Sequence, residues 1–311
     1  MEPIIPPVDR SAIESELTAE RLLRHTNKGD NLLYVVNAHN APNAMLEIGR
    51  LREMAFREAG GGTGKKYDID EFDTMPEPCQ QLIVWDPQAR EILGGYRFIT
   101  GDKIDMSSGV PNIATAHLFD FSERFLTEIL PVTLELGRSF VSVGYQSSKA
   151  GTKALFALDN LWDGLGALTV VYPHIKYLFG KVTMYPAFGR ENLDLILGFL
   201  YKHFPDTEGL VRPIRPLDSN AMSPEIQGRL SGENYKEDYR ILNKLIREQG
   251  LNIPPLVNAY MSLSPTMRMF GTAVNDEFGD VEETGIFLTI SEILQEKKDR
   301  HIETYKDEIG V

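Results

Sequence analysis

The sequence predicts a single mixed α/β core. Strand-like and helix-like segments alternate from residue 31 to residue 204. Two of the strand-like runs, 80–85 and 91–100, flank Asp86-Pro87-Gln88-Ala89-Arg90, a turn sequence that makes them antiparallel neighbours. The chain has 311 residues, 42% of them hydrophobic, enough to bury one large core or a core with an appendage. The expected division is an N-terminal arm at 1–30, a core at 31–204, and a C-terminal extension at 205–311 packed on that core.

Residues 11–24 are charged and helical in pattern, and 31–38 read as a first strand. Residues 44–59 read as an amphipathic helix with Ile48, Leu51 and Ala55 in one stripe. Ile48, Arg52 and Phe56 are i+4 neighbours, so Arg52 either snorkels from a half-buried face or is held toward a partner. A glycine-rich loop, 60–64, follows. Residues 101–131 are irregular, with a helix around 121–129. Residues 133–141 read as a strand, and a helix carrying Leu155, Leu158, Trp162 and Leu165 comes after it. Residues 177–184 read as a strand and 191–204 as a helix. Beyond Pro205, Pro213 and Pro216, residues 235–249 form a strongly amphipathic helix with Gly250 at C′. A short helix at 253–263, two strands at 269–274 and 285–290 around an acidic loop at 275–283, and a final helix capped by Ser291 complete the expected order.

The net charge of −13 argues against nucleic acid as a partner and against broad adhesion to anionic membranes. One cysteine, Cys79, excludes an intrachain disulfide and suits a reducing cytoplasm. The N-terminus lacks the pattern of a signal peptide, and no window approaches 18 uninterrupted apolar residues. The expected location is cytoplasmic, leaving peripheral contact at the inner membrane open. His117, His174 and His203 are scattered without metal-ligand spacing, so no metal is expected.

Two stretches carry unusual charge. In Thr133-Leu134-Glu135-Leu136-Gly137-Arg138-Ser139-Phe140-Val141, Glu135 and Arg138 fall on opposite faces of a regular strand. Either they are two satisfied structural charges, or Gly137 marks a bulge that re-aims one of them into a shared site. In Asp68-Ile69-Asp70-Glu71-Phe72-Asp73, four carboxylates in six residues either face water or need cations, for which Arg52, Arg97 and Arg138 are candidates. A third segment, Ser147 to Lys153, joins a strand to a helix N-terminus. It reads either as an ordinary capped helix or as a phosphate site built on free N–H groups.

A helix bearing Arg52 and Phe56, then Asp70-Glu71-Phe72-Asp73, then Gly95-Tyr96-Arg97-Phe98, then Glu135-Leu136-Gly137-Arg138 form an ordered set over residues 45–145. The set resembles the acyl-homoserine-lactone synthases and, more closely, the haemolysin-like N-acyltransferases that make ornithine and glycine lipids. Ile253-Pro254-Pro255-Leu256-Val257 and Phe278-Gly279-Asp280 extend the likeness over most of the chain, which is most similar to the glycine-lipid N-acyltransferases of the Bacteroides type. The resemblance implies an acetyltransferase-like, strongly bent mixed sheet flanked by helices. The wider superfamily cradles the coenzyme A pyrophosphate in an Arg/Gln-x-x-Gly-x-Gly/Ala turn. Ser148-Lys149-Ala150-Gly151-Thr152-Lys153 departs from that turn, which speaks against coenzyme A and fits the single phosphate of an acyl-phosphopantetheine arm on acyl carrier protein.

The resemblance implies transfer of a fatty, or 3-hydroxy fatty, acyl group to the amine of a small amino acid such as glycine or ornithine, the first step of aminolipid synthesis. No permanently bound cofactor is required. Glu135 is the candidate general base. Arg138 and Arg97 hold Asp70 and Asp73 or bind the acceptor carboxylate, with Arg52 in the same cluster. Asp70 and Asp73 order the loop or receive the acceptor ammonium. A backbone N–H within Phe140, Val141 and Val143 is the candidate oxyanion donor. Ser148, Lys149, Gly151, Thr152 and Lys153 are the candidate phosphate and carrier contacts. Two other readings stand beside this one: a lactone-type signal synthase using S-adenosylmethionine, and a non-catalytic acyl-carrier or lipid-binding module on the same fold.

Overall fold

The computed structural model describes residues 1–146 and 152–310, with side chains left out at 152–155. Its strands are β1 (Leu22–His25), β2 (Leu32–Val36), β3 (Gln80–Asp86), β4 (Glu91–Thr100), β5 (Phe119–Phe121), β6 (Thr133–Val141), β7 (Tyr177–Met184), β8 (Val211–Pro213), β9 (Arg268–Asn275) and β10 (Val281–Thr289). The helices used below are α1 (Arg10–Glu16), α2 (Pro42–Ala59), α3 (Glu71–Thr74), α4 (Thr152–Val171), α5 (Arg190–His203), α6 (Pro224–Arg229), α7 (Tyr235–Glu248) and α8 (Pro255–Met261).

Eight of these strands form one mixed sheet in the order β1-β2-β3-β4-β6-β7-β10-β9. Every neighbouring pair is antiparallel except β6 with β7. That parallel pairing is short, matching Thr133–Leu136 to Tyr177–Gly180. Beyond it the two strands part. β5 and β8 form a separate two-stranded ribbon.

Strand alternation divides the core between two faces. Leu82, Val84, Leu134, Leu178 and Val182 meet α4, α5, α7 and α8 on one face. On the other, Ile83, Trp85 and Phe140 meet Met45, Ile48 and Leu51 of α2. Farther along that second face, Phe179, Phe270 and Phe287 pack around Phe125, with ring centroids 5.5, 6.1 and 6.2 Å from it.

Several boundaries differ from the sequence expectation. The helix expected at 11–24 stops at Glu16, and Leu22–His25 form a strand instead. Pairing with β2 overrides local helix propensity there, and the buried Arg24 is satisfied by Asn27 and Glu308. The expected final strand begins at Val281, four residues early, because Glu282 and Glu283 are buried in ion pairs with Arg190 and Lys181. Ser291 caps no helix. It lies in the 3₁₀ turn Ile290–Glu292, and a helix resumes at Gln295. The segment after 204 does more than pack on the sheet, since it supplies β9 and β10.

Candidate active site

The site begins at an irregularity in β6. Arg97 of β4 pairs with Gly137, but Gly95 pairs with Phe140, so Arg138 and Ser139 together oppose Tyr96 alone. This is a β-bulge. The residue with positive φ is Arg138, at 52°, and not Gly137. Gly137 has a different use: a Cβ there would stand 3.5 Å from Arg97 Nε, so the missing side chain gives the Arg97 guanidinium room across the strand. The bulge turns Arg138 toward the same acidic segment that Glu135 senses.

That segment is anchored by α2. The Asp68 N–H donates to the Gly49 carbonyl at 2.9 Å, and a Cβ on Gly49 would lie 2.6 Å from Ile69 Cγ1. Only glycine permits this approach. Asp70 then caps α3, accepting from the Asp73 N–H at 3.3 Å, while Asp73 accepts from the Asp70 N–H at 3.2 Å.

Three arginines meet three of the four carboxylates. Arg52 Nη1 donates to Asp73 at 3.1 Å, and its other nitrogen reaches Gln81, which itself donates to Asp73 at 2.8 Å. Arg97 Nη1 spans both oxygens of Asp70 at 2.6 and 2.7 Å and stands 3.5 Å from Asp73. Arg138 lies 2.9 Å from Asp68 and 3.4 Å from Asp70, with its guanidinium 4.5 Å over the Phe278 ring. Phe56 of α2 supports that ring edge-on at 5.1 Å. Glu71, the fourth carboxylate, is exposed and meets no arginine among the described residues.

Burial and charge separate these groups. Burial alone would raise Asp70, but Arg97 and Arg138 hold it at about 2. For Asp68 burial wins over Arg138, Arg52 and Arg97, and its proton affinity is raised. Glu135 is raised too, because burial outweighs Arg97, Lys181 and the nearby Thr115 hydroxyl. Lys181 is lowered: burial, with Arg138 and Arg97 adding to it, outweighs the attraction of Glu283.

Two cavities meet where β6 and β7 part. One, of about 450 Å³, is walled chiefly by apolar side chains such as Val182, Met184, Phe188, Leu193, Pro255 and Leu256. The other, of about 760 Å³, is lined by Asp68, Asp70, Glu71, Lys65 and Arg215. They share Arg138, Lys181 and Phe278. A small recess behind Leu256, bounded by Leu158, Trp162 and Tyr260, continues between the strands and also touches Lys181.

The cluster therefore gathers Arg52, Asp70, Asp73, Arg97 and Arg138, with Glu135 behind it. Glu135 is 2% exposed and is not among the residues lining either cavity. Asp73 and Arg97 are likewise buried and engaged with each other's neighbours, away from both walls. Phe140, Val141 and Val143 pack into the core; Arg138 and Ser139 of the bulge reach the apolar cavity instead, and Gly137 the recess behind it. Ser148, Lys149 and Gly151 lie outside the described residues. Thr152 and Lys153 open α4, where only the backbone is described. Cys79 is a core residue whose thiol is pushed up to about 12, mainly by burial.

Sequence reasoning missed three residues here. The sequence marks Asp68 only as a member of the acidic run. Lys181 and Glu283 form an ion pair across β7 and β10, and Glu283 also accepts from Thr183 at 2.9 Å. The available signal was the polar alternation Lys181, Thr183 in an apolar strand. Their partner stands about a hundred residues away.

Residues 51–155 match the family described as "Acetyltransferase (GNAT) domain". Over 306 residues the chain is 60% identical to a protein named glycine N(alpha)-acyltransferase from Bacteroides thetaiotaomicron, covering 98% of this chain and 91% of that protein. The chain belongs to this family of N-acyltransferases. A second member, from Phocaeicola vulgatus and bearing the same name, is 57% identical over 98% of this chain and 94% of its own length. Among solved structures, FeeM, an N-acyl amino acid synthase from uncultured soil microbes, aligns over 88% of this chain and 97% of its own at 12% identity and TM-score 0.40. BjaI, a coenzyme A-dependent acyl-homoserine lactone synthase, aligns over 90% of both chains at 11% identity and TM-score 0.40. The large mixed sheet and flanking helices described above fit such a domain. The protein is an acyltransferase.

Proposed function

We propose that the enzyme moves a fatty acyl group from the phosphopantetheine thioester of acyl carrier protein to the amine of glycine, the first step of an aminolipid synthesis. The observation that carries this reading is the junction of an apolar cavity with an acid-lined one at Arg138, Lys181 and Phe278. A fatty chain requires the first and an amino acid the second. The names of the two close relatives support glycine over ornithine.

The reaction balances simply. The acceptor ammonium loses one proton, and the amine nitrogen bonds to the thioester carbon and sheds a second proton from the tetrahedral adduct. The oxyanion collapses with cleavage of the C–S bond, and the pantetheine thiolate leaves and takes up one of the two protons while the other passes to solvent. Glu135 is the base in this scheme. Because it lies behind the cavity wall, it acts through a water or through Thr115, which follows the wall residue Ala114. The deciding experiment is mass spectrometry of products formed from acyl-carrier-protein donors offered glycine, ornithine or S-adenosylmethionine. Acyl-glycine is expected; acyl-ornithine or an acyl lactone as the dominant product would reassign the acceptor.

Charge constrains how that proposed donor docks. Acyl carrier protein is acidic and this chain carries −13, so docking needs a local cationic patch. Lys149 and Lys153 are proposed to supply it. Changing both to Glu should raise KM for acyl carrier protein strongly while sparing a short acyl-pantetheine, and added salt should weaken the wild-type reaction. Equal KM and equal salt dependence in both proteins would place carrier docking elsewhere. Among the described residues no helix is long and apolar enough to cross a membrane. Any inner-membrane contact in this proposal is therefore not a helical span of those residues.

A further inference from the structure

The carboxylates of the site differ in what remains for a ligand. Asp73 is fully enclosed between Arg52, Gln81 and the α3 cap. Asp70 has both oxygens engaged by Arg97. Asp68 is 1% exposed, yet neither of its oxygens accepts a hydrogen bond among the described residues. Among the described residues its ion-pair partner is Arg138, whose Nε stands 2.9 Å away without hydrogen-bonding alignment, with Arg52 and Arg97 acting on it from farther off. A buried carboxylate without donors costs several kcal/mol, so its retention on a cavity wall asks for a ligand that donates.

The complementary charge is on the same wall. Lys181 borders the polar cavity, the apolar cavity and the recess between the strands. Its ammonium has three donors, and its ion pair with Glu283 uses one direction. Arg138 lines both of the larger cavities together with Lys181, so the two cations are neighbours. The wall therefore presents an anion lacking donors beside a pair of cations with donors to spare.

We propose that this wall is the acceptor subsite, in which Asp68 receives the α-ammonium of a free α-amino acid and Lys181, beside Arg138, receives its carboxylate. The assignment rests on the acceptor reading above and adds which groups recognise the acceptor. It selects a zwitterion: a simple amine lacks the carboxylate, and a peptide-bound residue lacks one charge or the other. Held at Asp68, the nitrogen sits in the polar cavity close to the shared residues Arg138 and Lys181, where a thioester in the apolar cavity meets it.

The test is steady-state kinetics of the purified full chain with glycine and with glycinamide, which keeps the amine and removes the carboxylate charge. Asp68→Asn should raise KM for glycine about tenfold or more, the usual loss for a hydrogen bond to a charged group, and change KM for the acyl donor less than about threefold. Wild type should prefer glycine to glycinamide by about tenfold or more, and Lys181→Met should collapse that preference to within about threefold. A folded Asp68→Asn protein with unchanged KM for glycine overturns the assignment. If Asp68→Asn does not fold, Lys181→Met decides alone, and a retained preference for glycine overturns it. Failure of the wild type to acylate any amino acid would instead bring down the acceptor reading, and this assignment with it.

Discussion

Arg138 holds a backbone conformation that costs an L-residue about 1–2 kcal/mol. The cost is offset because the bulge delivers its guanidinium to Asp68 and Asp70. Removing a partner from a partly buried cluster of this kind costs more than the strain, about 2–4 kcal/mol. Asp70 shows how the cluster responds to acid. Its carboxyl lies at about 2, below its ordinary 3.8, so it contributes about 2 kcal/mol that is fully present above pH 4 and is lost as pH falls toward 2. Asp70→Asn should remove that contribution, and chemical denaturation of both proteins from pH 7 to pH 2 should converge at the acid end. A gap that stays constant with pH would show that Asp70 is not the titrating group. Glu135 is raised by burial, the setting a base requires. Glu135→Gln should cut kcat about 100-fold or more with circular dichroism unchanged. Turnover near wild type in the folded variant removes Glu135 from the chemistry.

At the scale of elements, the site depends on two backbone approaches that only glycine allows. One is α2 against the acidic segment at Gly49. Gly49→Ala gains about 1 kcal/mol of helix propensity but overpacks Ile69 at a cost of about 1–3 kcal/mol. The melting temperature should therefore move little, while KM for glycine rises several-fold as Asp68 is displaced. An unchanged KM would mean that the anchor does not set the position of Asp68. The other approach is the glycine loop against the β9–β10 turn, where Gly279, at φ 85°, would place a Cβ 3.0 Å from Gly61 Cα. That contact sets Phe278 beneath Arg138. The sequence made α2, β3, β4, β6, β7, α5 and α7 legible because each carries its own periodicity. It did not reveal β1, β5 or β8, which are short: β1 takes its form from pairing with the adjacent β2, and β5 and β8 from pairing with each other far apart in the chain. Arg52, Asp73, Arg97 and Asp70 were legible as a set of opposite charges. Which carboxylate would be left without donors was not, because that depends on which arginine each one meets in three dimensions.

Across the whole molecule, the last third is structural material of the sheet. β10 pairs with β7 along its full length and β9 pairs with β10, so residues after 204 complete the wall that carries Lys181. A fragment ending at residue 204 should expose Leu178 and Phe179 at an open strand edge and aggregate. Recovery of a soluble fragment with a cooperative melt would make the C-terminal part dispensable for folding. The same pairing has a consequence for how the protein is made. Thr183 and Glu283, which touch in the finished sheet, are separated by 100 positions along the chain. On a ribosome adding ~5–20 residues per second, β7 emerges several seconds before its partner exists. For that interval a nascent chain carries an apolar strand with an unpaired edge, the kind of surface that chaperones hold and neighbouring chains capture.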